Sequence, residues 1–313
     1  MTNFDWIKKH VKELSDGAEK VGLSAPNISY GPHTALKIAA VKVYAAVFAK
    51  IAGGERAKRA NYDGAVYVGL FAGPGLVKCT KQDVILGSPL AVASNPSKFD
   101  EYVFVESDRT RADALRRSAA SLTPGLSIRV FDADCNSSVR VIIEHIASKW
   151  KKPLLLVFVD PEGMEVKFST IKAISDAFEA VDYIINFTTG TERVRGRLQA
   201  GMASDSRIFG DFFGEDAADI LDRYSIGEPL SEQYQSSLAK YLGRTIGSNV
   251  PVRAEEGRDV YHLLFATRLT TRGSEWKRAF SSISKRLEGL TGRDVVEALD
   301  LIKGRSKSLD SVF

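Results

Sequence analysis

Four apolar runs in this sequence end on side chains able to do chemistry. The first passes straight into glycines, Val66-Tyr67-Val68-Gly69-Leu70-Phe71-Ala72-Gly73-Pro74-Gly75. A turn so poor in Cβ atoms lets a nucleotide-like ligand sit against the backbone at the carboxyl end of a strand. A plain tight turn would use the same glycines. The spacing is not G-x-G-x-x-G, and no Gly-Lys-Ser/Thr follows to make a phosphate-binding loop. The second run ends Val105-Glu106-Ser107-Asp108. A carboxylate at a strand tip offers two acceptor oxygens to a ribose diol, although such an acid is also an ordinary solvated turn residue. The third ends Phe131-Asp132-Ala133-Asp134-Cys135-Asn136. There Asp134 or Asn136 would meet an adenine amino group or cap the helix that starts near Ser137, and both roles stand open. The fourth ends Phe158-Val159-Asp160-Pro161-Glu162-Gly163. Asp160 would hold a substrate amine or act as a base, or the D-P-x-G sequence would form a structural turn.

The elements that must position these groups follow from the periodicity. Short apolar runs at Val66–Phe71, Tyr102–Val105, Ser127–Phe131, Leu154–Val159 and Tyr183–Phe187 alternate with helical stretches at Arg109–Ser121, Ser137–Lys149 and Ser169–Ala180. Runs such as LLLVFV are continuously apolar, as strands covered on both faces are. Strand and helix in alternation predict an α/β, doubly wound, mostly parallel sheet, completed by Val260–Leu269. An Ala-rich helix runs from Thr34 to Ile51 and stops at Gly53-Gly54. A shorter one is expected within Asn3–Val21, with a loop from Ser24 to Pro32. Residues 190–250 read as a helical insertion, and Glu275–Leu290 with Arg293–Ile302 as basic C-terminal helices. The expected organisation is a helical extension at 1–64, a Rossmann-like domain at 65–274 and C-terminal basic helices with a tail at 275–313.

The 313 residues are 44% hydrophobic and 26% charged, which excludes disordered, collagen-like and disulfide-framework classes. Net charge is only +4, but its distribution is uneven. Residues 1–64 carry 10 basic and 6 acidic side chains, residues 65–239 carry 19 and 24, and residues 240–313 carry 14 and 9. Basic ends flank an acidic middle, an arrangement compatible with a polyanionic partner. Arg193, Arg195 and Arg197 form a candidate phosphate-contacting loop after the fifth strand; a solvated arginine cluster is the alternative. Cys79 and Cys135 without an export signal point to free thiols and a cytoplasmic setting. No run approaches the roughly 18 apolar residues of a membrane span. The four histidines share no ligand spacing with the cysteines, so no metal site is expected. Ser88 lies in no nucleophile elbow.

Taken in order, LFAGPG, Gly87-Ser88-Pro89-Leu90, Asp160-Pro161-x-Gly163 and Tyr261-His262-Leu263-Leu264-Phe265-Ala266-Thr267 resemble the three-Cys-motif partner proteins (TcmP). These are similar to class I, Rossmann-like S-adenosylmethionine-dependent methyltransferases. The resemblance spans roughly residues 30 to 290, including the helix bearing Leu36 and Lys37. It implies S-adenosylmethionine as cofactor, with Phe71, Gly73 and Gly75 along its methionine and ribose side. It further implies Glu106 on the ribose hydroxyls, Asp134 near the adenine, and Asp160-Pro161 in the acceptor loop. Three positions depart from the pattern. Glu162 and Gly163 stand where a second proline and a stacking aromatic would be, and Gly69 replaces the acid that directly precedes LFAGPG.

The expected function is methyl transfer to nucleic acid, with Asp160 orienting the acceptor, and the resemblance implies a three-Cys-motif protein as partner. The alternative is a catalytically degenerate module of the same fold that binds nucleic acid or a protein partner.

Overall fold

The computed structural model describes residues 1–24, 29–54, 57, 60–188, 203–247, 249–267 and 275–305. Helix α1 (Asn3–Val21) opens on a capping box: the Thr2 hydroxyl accepts from the Asp5 N–H, and the Asp5 carboxylate from the Thr2 N–H. It closes on Gly22, whose φ of 67° suits a residue without Cβ. Its buried stripe, Trp6, Ile7, Val11, Leu14, Ala18 and Val21, recurs at helical spacing. Helix α2 (Thr34–Ala52) is apolar on every side, and 13 of its 19 residues are buried. Such a helix has to be enclosed.

Strand β1 (Gly64–Leu70) follows, then a hairpin of β2 (Leu76–Lys78) and β3 (Val84–Leu86), and a short helix α3 (Ser88–Ala93). The α/β alternation then proceeds through β4 (Glu101–Glu106), α4 (Arg109–Leu122), β5 (Ile128–Asp132), α5 (Cys135–Lys149), β6 (Pro153–Val159), α6 (Phe168–Ala177) and β7 (Ala180–Thr188). Beyond it lie α7 (Ala203–Phe213), α8 (Ala217–Ser225), α9 (Leu230–Leu242), β8 (Thr245–Ile246), β9 (Val250–Arg253), β10 (Asp259–Thr267), α10 (Glu275–Leu287) and α11 (Gly292–Ile302).

The sheet runs β5-β4-β1-β6-β7-β10-β8, with β9 also paired to β10. The first five strands are parallel. Strand β10 is antiparallel to β7 and separates it from β8 and β9. The chain winds outward from β1 to β5 and then returns to place β6 against the other side of β1. That reversal opens a crevice at the carboxyl ends of β1 and β6, where doubly wound sheets bind ligands.

Both faces are covered, as the continuous apolar runs require. One core joins Tyr67, Tyr102, Phe104, Leu156, Phe158 and Ile184 to α1, α2, α3, α4, α10 and α11. The terminal helices therefore share a core with one face of the sheet. The second core joins Val68, Val105, Val157 and Ile185 to α5, α6, α7, α8 and α9. Among the described residues, no helix is long and apolar enough to cross a membrane. Helix α6 ends three residues short of the expected Ala180 because Ala180 already opens β7. Arg193, Arg195 and Arg197, with Arg268 and Leu269, lie outside the described residues.

Candidate functional site

The glycine turn after β1 is held by backbone donors. Phe71 has φ 62° in the left-handed region, followed by Gly73 at 70° and Gly75 at 87°. The Ala72 N–H donates to the Val105 carbonyl at 2.9 Å, and the Gly73 N–H to Glu106 Oε2 at 2.8 Å. Glu106 Oε1 accepts the Asp108 N–H at 3.0 Å. The carboxylate at the tip of β4 thus braces both its own turn and the neighbouring one, and it is buried. The two glycines differ in what surrounds them. A Cβ on Gly73 would meet nothing within 4 Å, whereas one on Gly75 would lie 3.0 Å from both Leu90 and Leu115. Gly73 borders open space and Gly75 serves packing. Phe71 is half-buried and rests against the second core.

Gly69 faces the first core. Its missing side chain leaves no hole, because the Phe104 ring lies 3.2 Å and the Tyr67 ring 3.4 Å from where a Cβ would be.

Asp134 caps α5, accepting the Ser137 N–H at 2.9 Å, and is otherwise exposed. Asn136 is consumed by structure. Its Oδ1 accepts from the Lys167 N–H and the Thr170 hydroxyl, while its Nδ2 donates to the Glu165 carbonyl, tying α5 to the loop after β6.

Asp160 lies at the tip of β6, its N–H donating to the Leu70 carbonyl at 3.3 Å, with Pro161 buried behind it. Its partners come from distant elements. Lys37 Nζ of α2 donates to Oδ1 at 2.6 Å and to Oδ2 at 2.9 Å. Asn186 Nδ2 of β7 donates to Oδ1 at 2.8 Å. The carboxylate only accepts, which fixes the amide orientation and leaves Asn186 Oδ1 as a buried acceptor without a partner among the described residues. Such an atom costs about 1–3 kcal/mol while it stays unsatisfied.

Lys37 Nζ stands 5.0 Å above the Tyr261 ring, whose edge meets His33 at a centroid distance of 5.4 Å. Burial alone would push the Lys37 ammonium down, but Asp160, with Tyr261 and Tyr30, holds it above the ordinary lysine value. Lys37 is therefore a fixed cation. Burial pushes His33 down to about 4, with Lys37 and Arg258 adding to the effect and Glu256 opposing it. Across the mouth, Arg111 Nη1 donates to Glu162 Oε1 at 3.2 Å, an exposed pair that closes little by itself.

Glu106 and Asp160 stand out in the sequence as acids at strand tips, whereas Lys37, Asn186 and Tyr30 belong to no motif. The signal for Lys37 was present. A lysine in a helix apolar on all sides has to find a buried counter-charge. Among the described residues, no three His, Cys, Asp or Glu side chains come together as a metal site.

The strand order with its reversed β10, the glycine turn after β1 and the acid at the tip of β4 define a Rossmann-like, class I methyltransferase-like fold. No family model matches the sequence, and no curated protein does. Among solved structures, the chain is similar to an O-methyltransferase from Bacillus cereus in complex with SAH, at 12% identity, 84% of this chain, 90% of that one and a TM-score of 0.45. It is also similar to the protein LPL1258 from Legionella pneumophila, at 11% identity, 79% and 92% coverage and a TM-score of 0.44. A fibrillarin/Nop5p complex gives 12% identity, 66% and 73% coverage and a TM-score of 0.37. The strand order, not these distant likenesses, defines the fold.

Proposed function

We propose that the chain is an S-adenosylmethionine-dependent methyltransferase in which Lys37, Asp160 and Asn186 hold the methyl acceptor. The observation that carries this reading is the largely buried Lys37–Asp160–Asn186 group, in which Lys37 of α2 meets Asp160 at the tip of β6 and Asn186 of β7. The adenosine half of the cofactor fits the residues present. Each Glu106 oxygen accepts one backbone N–H and keeps a lone pair for a ribose hydroxyl. Gly73 leaves open space for that approach, with Phe71 and Gly75 flanking it. Asp134 would face the adenine with the acceptor capacity its capping role leaves. Bound there, the cofactor would supply a methyl group on positively charged sulfur. The chain's part is to align the acceptor and receive its proton at the Asp160 carboxylate, with Pro161 stiffening the loop.

Nucleic acid is the target this reading favours. The basic ends of the chain supply charge, Arg111 of α4 reaches Glu162 of the loop after β6, and Arg258, between β9 and β10, acts on His33. Arg193, Arg195 and Arg197 are further candidates for phosphate contact. A three-Cys-motif protein is the partner that the family resemblance suggests.

One observation favours a second reading, a binding module without catalysis. The place of an acid at position 69 is filled by Phe104 and Tyr67, and Lys37 already neutralises Asp160. Thermal unfolding separates the two. At a hundred times Kd, a ligand adds about 2.7 kcal/mol of stability. S-adenosylmethionine or its demethylated product should therefore raise the wild-type melting temperature by several degrees, and Glu106→Ala should lose that gain. No shift at millimolar ligand would leave the binding module.

A further inference from the structure

The oxygens of Asp160 are unequally used. Oδ1 accepts two donors, Lys37 Nζ and Asn186 Nδ2, while Oδ2 accepts only Lys37 Nζ. A carboxylate oxygen has room for about two hydrogen bonds, so Oδ2 keeps an acceptor position. Lys37 carries three N–H groups, and the Asp160 oxygens are its only hydrogen-bond partners among the described residues. The two side chains remain 11% and 14% exposed, which leaves their outer edge reachable. One acceptor and one donor therefore stand side by side, with the unpartnered Asn186 Oδ1 next to them.

Few ligand groups match that pair. An ammonium would meet the Lys37 charge, and a carboxylate or phosphate would meet the Asp160 charge. A hydroxyl gives its proton to Oδ2 and accepts from Nζ. The charge that develops during transfer points the same way. An oxygen losing its proton grows more negative, and the ammonium stabilises it; a nitrogen being methylated grows more positive beside the same cation. A flipped base would also need a ring to stack on. In the loop after β6, Glu162 and Gly163 supply none, and Lys37 already lies over the Tyr261 ring.

We infer that the methyl acceptor is an alcohol hydroxyl and, resting on the nucleic-acid reading above, the ribose 2′-hydroxyl of RNA, a group interior DNA nucleotides lack. The hydroxyl oxygen forms the new bond to the methyl carbon. The carbon–sulfur bond breaks with its electron pair going to sulfur, which becomes a neutral thioether. The hydroxyl proton passes to Asp160 Oδ2 and then to solvent.

The test uses the full chain with bulk cellular RNA and S-adenosylmethionine labelled in its methyl group. After alkaline hydrolysis, label in resistant dinucleotides is expected, because a methylated 2′-oxygen blocks cleavage. Label in mononucleotides would mean base methylation and overturn the inference. So would the absence of label from RNA while the demethylated cofactor still stabilises the protein. Loss of that stabilisation as well would instead remove the methyltransferase reading itself. A binding measurement needs no turnover: fluorescence anisotropy with the demethylated cofactor present, comparing an RNA with its 2′-fluoro counterpart, which cannot donate. Wild type should bind the RNA about tenfold more tightly, the worth of one to two hydrogen bonds. The double variant Lys37→Met/Asp160→Asn, which leaves no lone buried charge, should bind the two equally. Equal affinities in the wild type would overturn the inference.

Discussion

Lys37 and Asp160 stand 123 positions apart in the chain, and Lys37 Nζ reaches both carboxylate oxygens, at 2.6 Å and 2.9 Å. The pair joins an N-terminal helix to the tip of a central strand. It is mostly shielded from water, so its two charges depend on each other. Removing one partner of a buried pair strands the other, whereas removing both does not.

Lys37→Met alone should therefore lower unfolding stability by about 3 kcal/mol. The double variant Lys37→Met/Asp160→Asn should lose clearly less. Denaturant titration of the wild type, the single and the double variant measures both. Equal losses would mean that the two charges are not coupled in the folded state.

Position 69 gives a prediction with the opposite intuition. Restoring an acid by Gly69→Asp should not improve cofactor binding, because the Phe104 and Tyr67 rings already occupy the space. The neighbours would have to yield, and a carboxylate would enter an aromatic core, so a loss of at least about 1–3 kcal/mol is expected. Calorimetry with the demethylated cofactor should show no gain in affinity. A tighter complex in a well-folded Gly69→Asp would contradict the packing.

The fold was legible because its signals are long and repeated. Continuous runs such as Leu154–Val159 announce strands covered on both faces, and the observed β6 differs from that run by one residue. The β2–β3 hairpin, α3, β8 and β9 escaped because elements of two to six residues carry no measurable period. At the site, Glu106 and Asp160 were legible as acids at strand tips. Their partners were not, since a contact between Lys37 and Asp160 is a property of topology. Asn186 is the polar residue within the run Tyr183–Phe187, and only the sheet pairing of β6 with β7 brings it to Asp160. Asp134 left two roles open, and its cap on α5 realises one of them.

Cys79 and Cys135 should be unreactive in the native protein. Burial pushes both thiols up to about 12, with Asp83 acting further on the first and Asp134 on the second. The thiolate is the reacting form, so at pH 8 neither should be alkylated quickly. Iodoacetamide labelling followed by mass spectrometry should find both free under native conditions and both modified in denaturant. Fast native labelling of Cys135 would mean that the start of α5 opens readily.

Asp182 sets the final prediction. It is buried on β7, where the Thr267 hydroxyl donates to Oδ1 at 2.6 Å and the Tyr44 hydroxyl to Oδ2 at 3.0 Å. Burial raises its pKa from 3.8 to about 6, although Thr267, Tyr44 and the Arg244 charge all pull downward. Between those values the folded chain holds a proton at Asp182 that the unfolded chain has released. Its contribution to stability is therefore greatest below about pH 4 and falls as pH rises through 6, by roughly 1 kcal/mol per pH unit at most. His33 acts oppositely over an overlapping range, because its pKa is lowered to about 4 and its neutral form is the folded one. A difference measurement isolates the carboxyl. Asp182→Asn should gain stability relative to the wild type as pH rises from 4 to 6, and the gain should level off above 7. Denaturant titrations at half-unit steps would show it. A wild-type-minus-variant difference that stays constant with pH would mean that Asp182 ionises no differently in the folded chain than in the unfolded one.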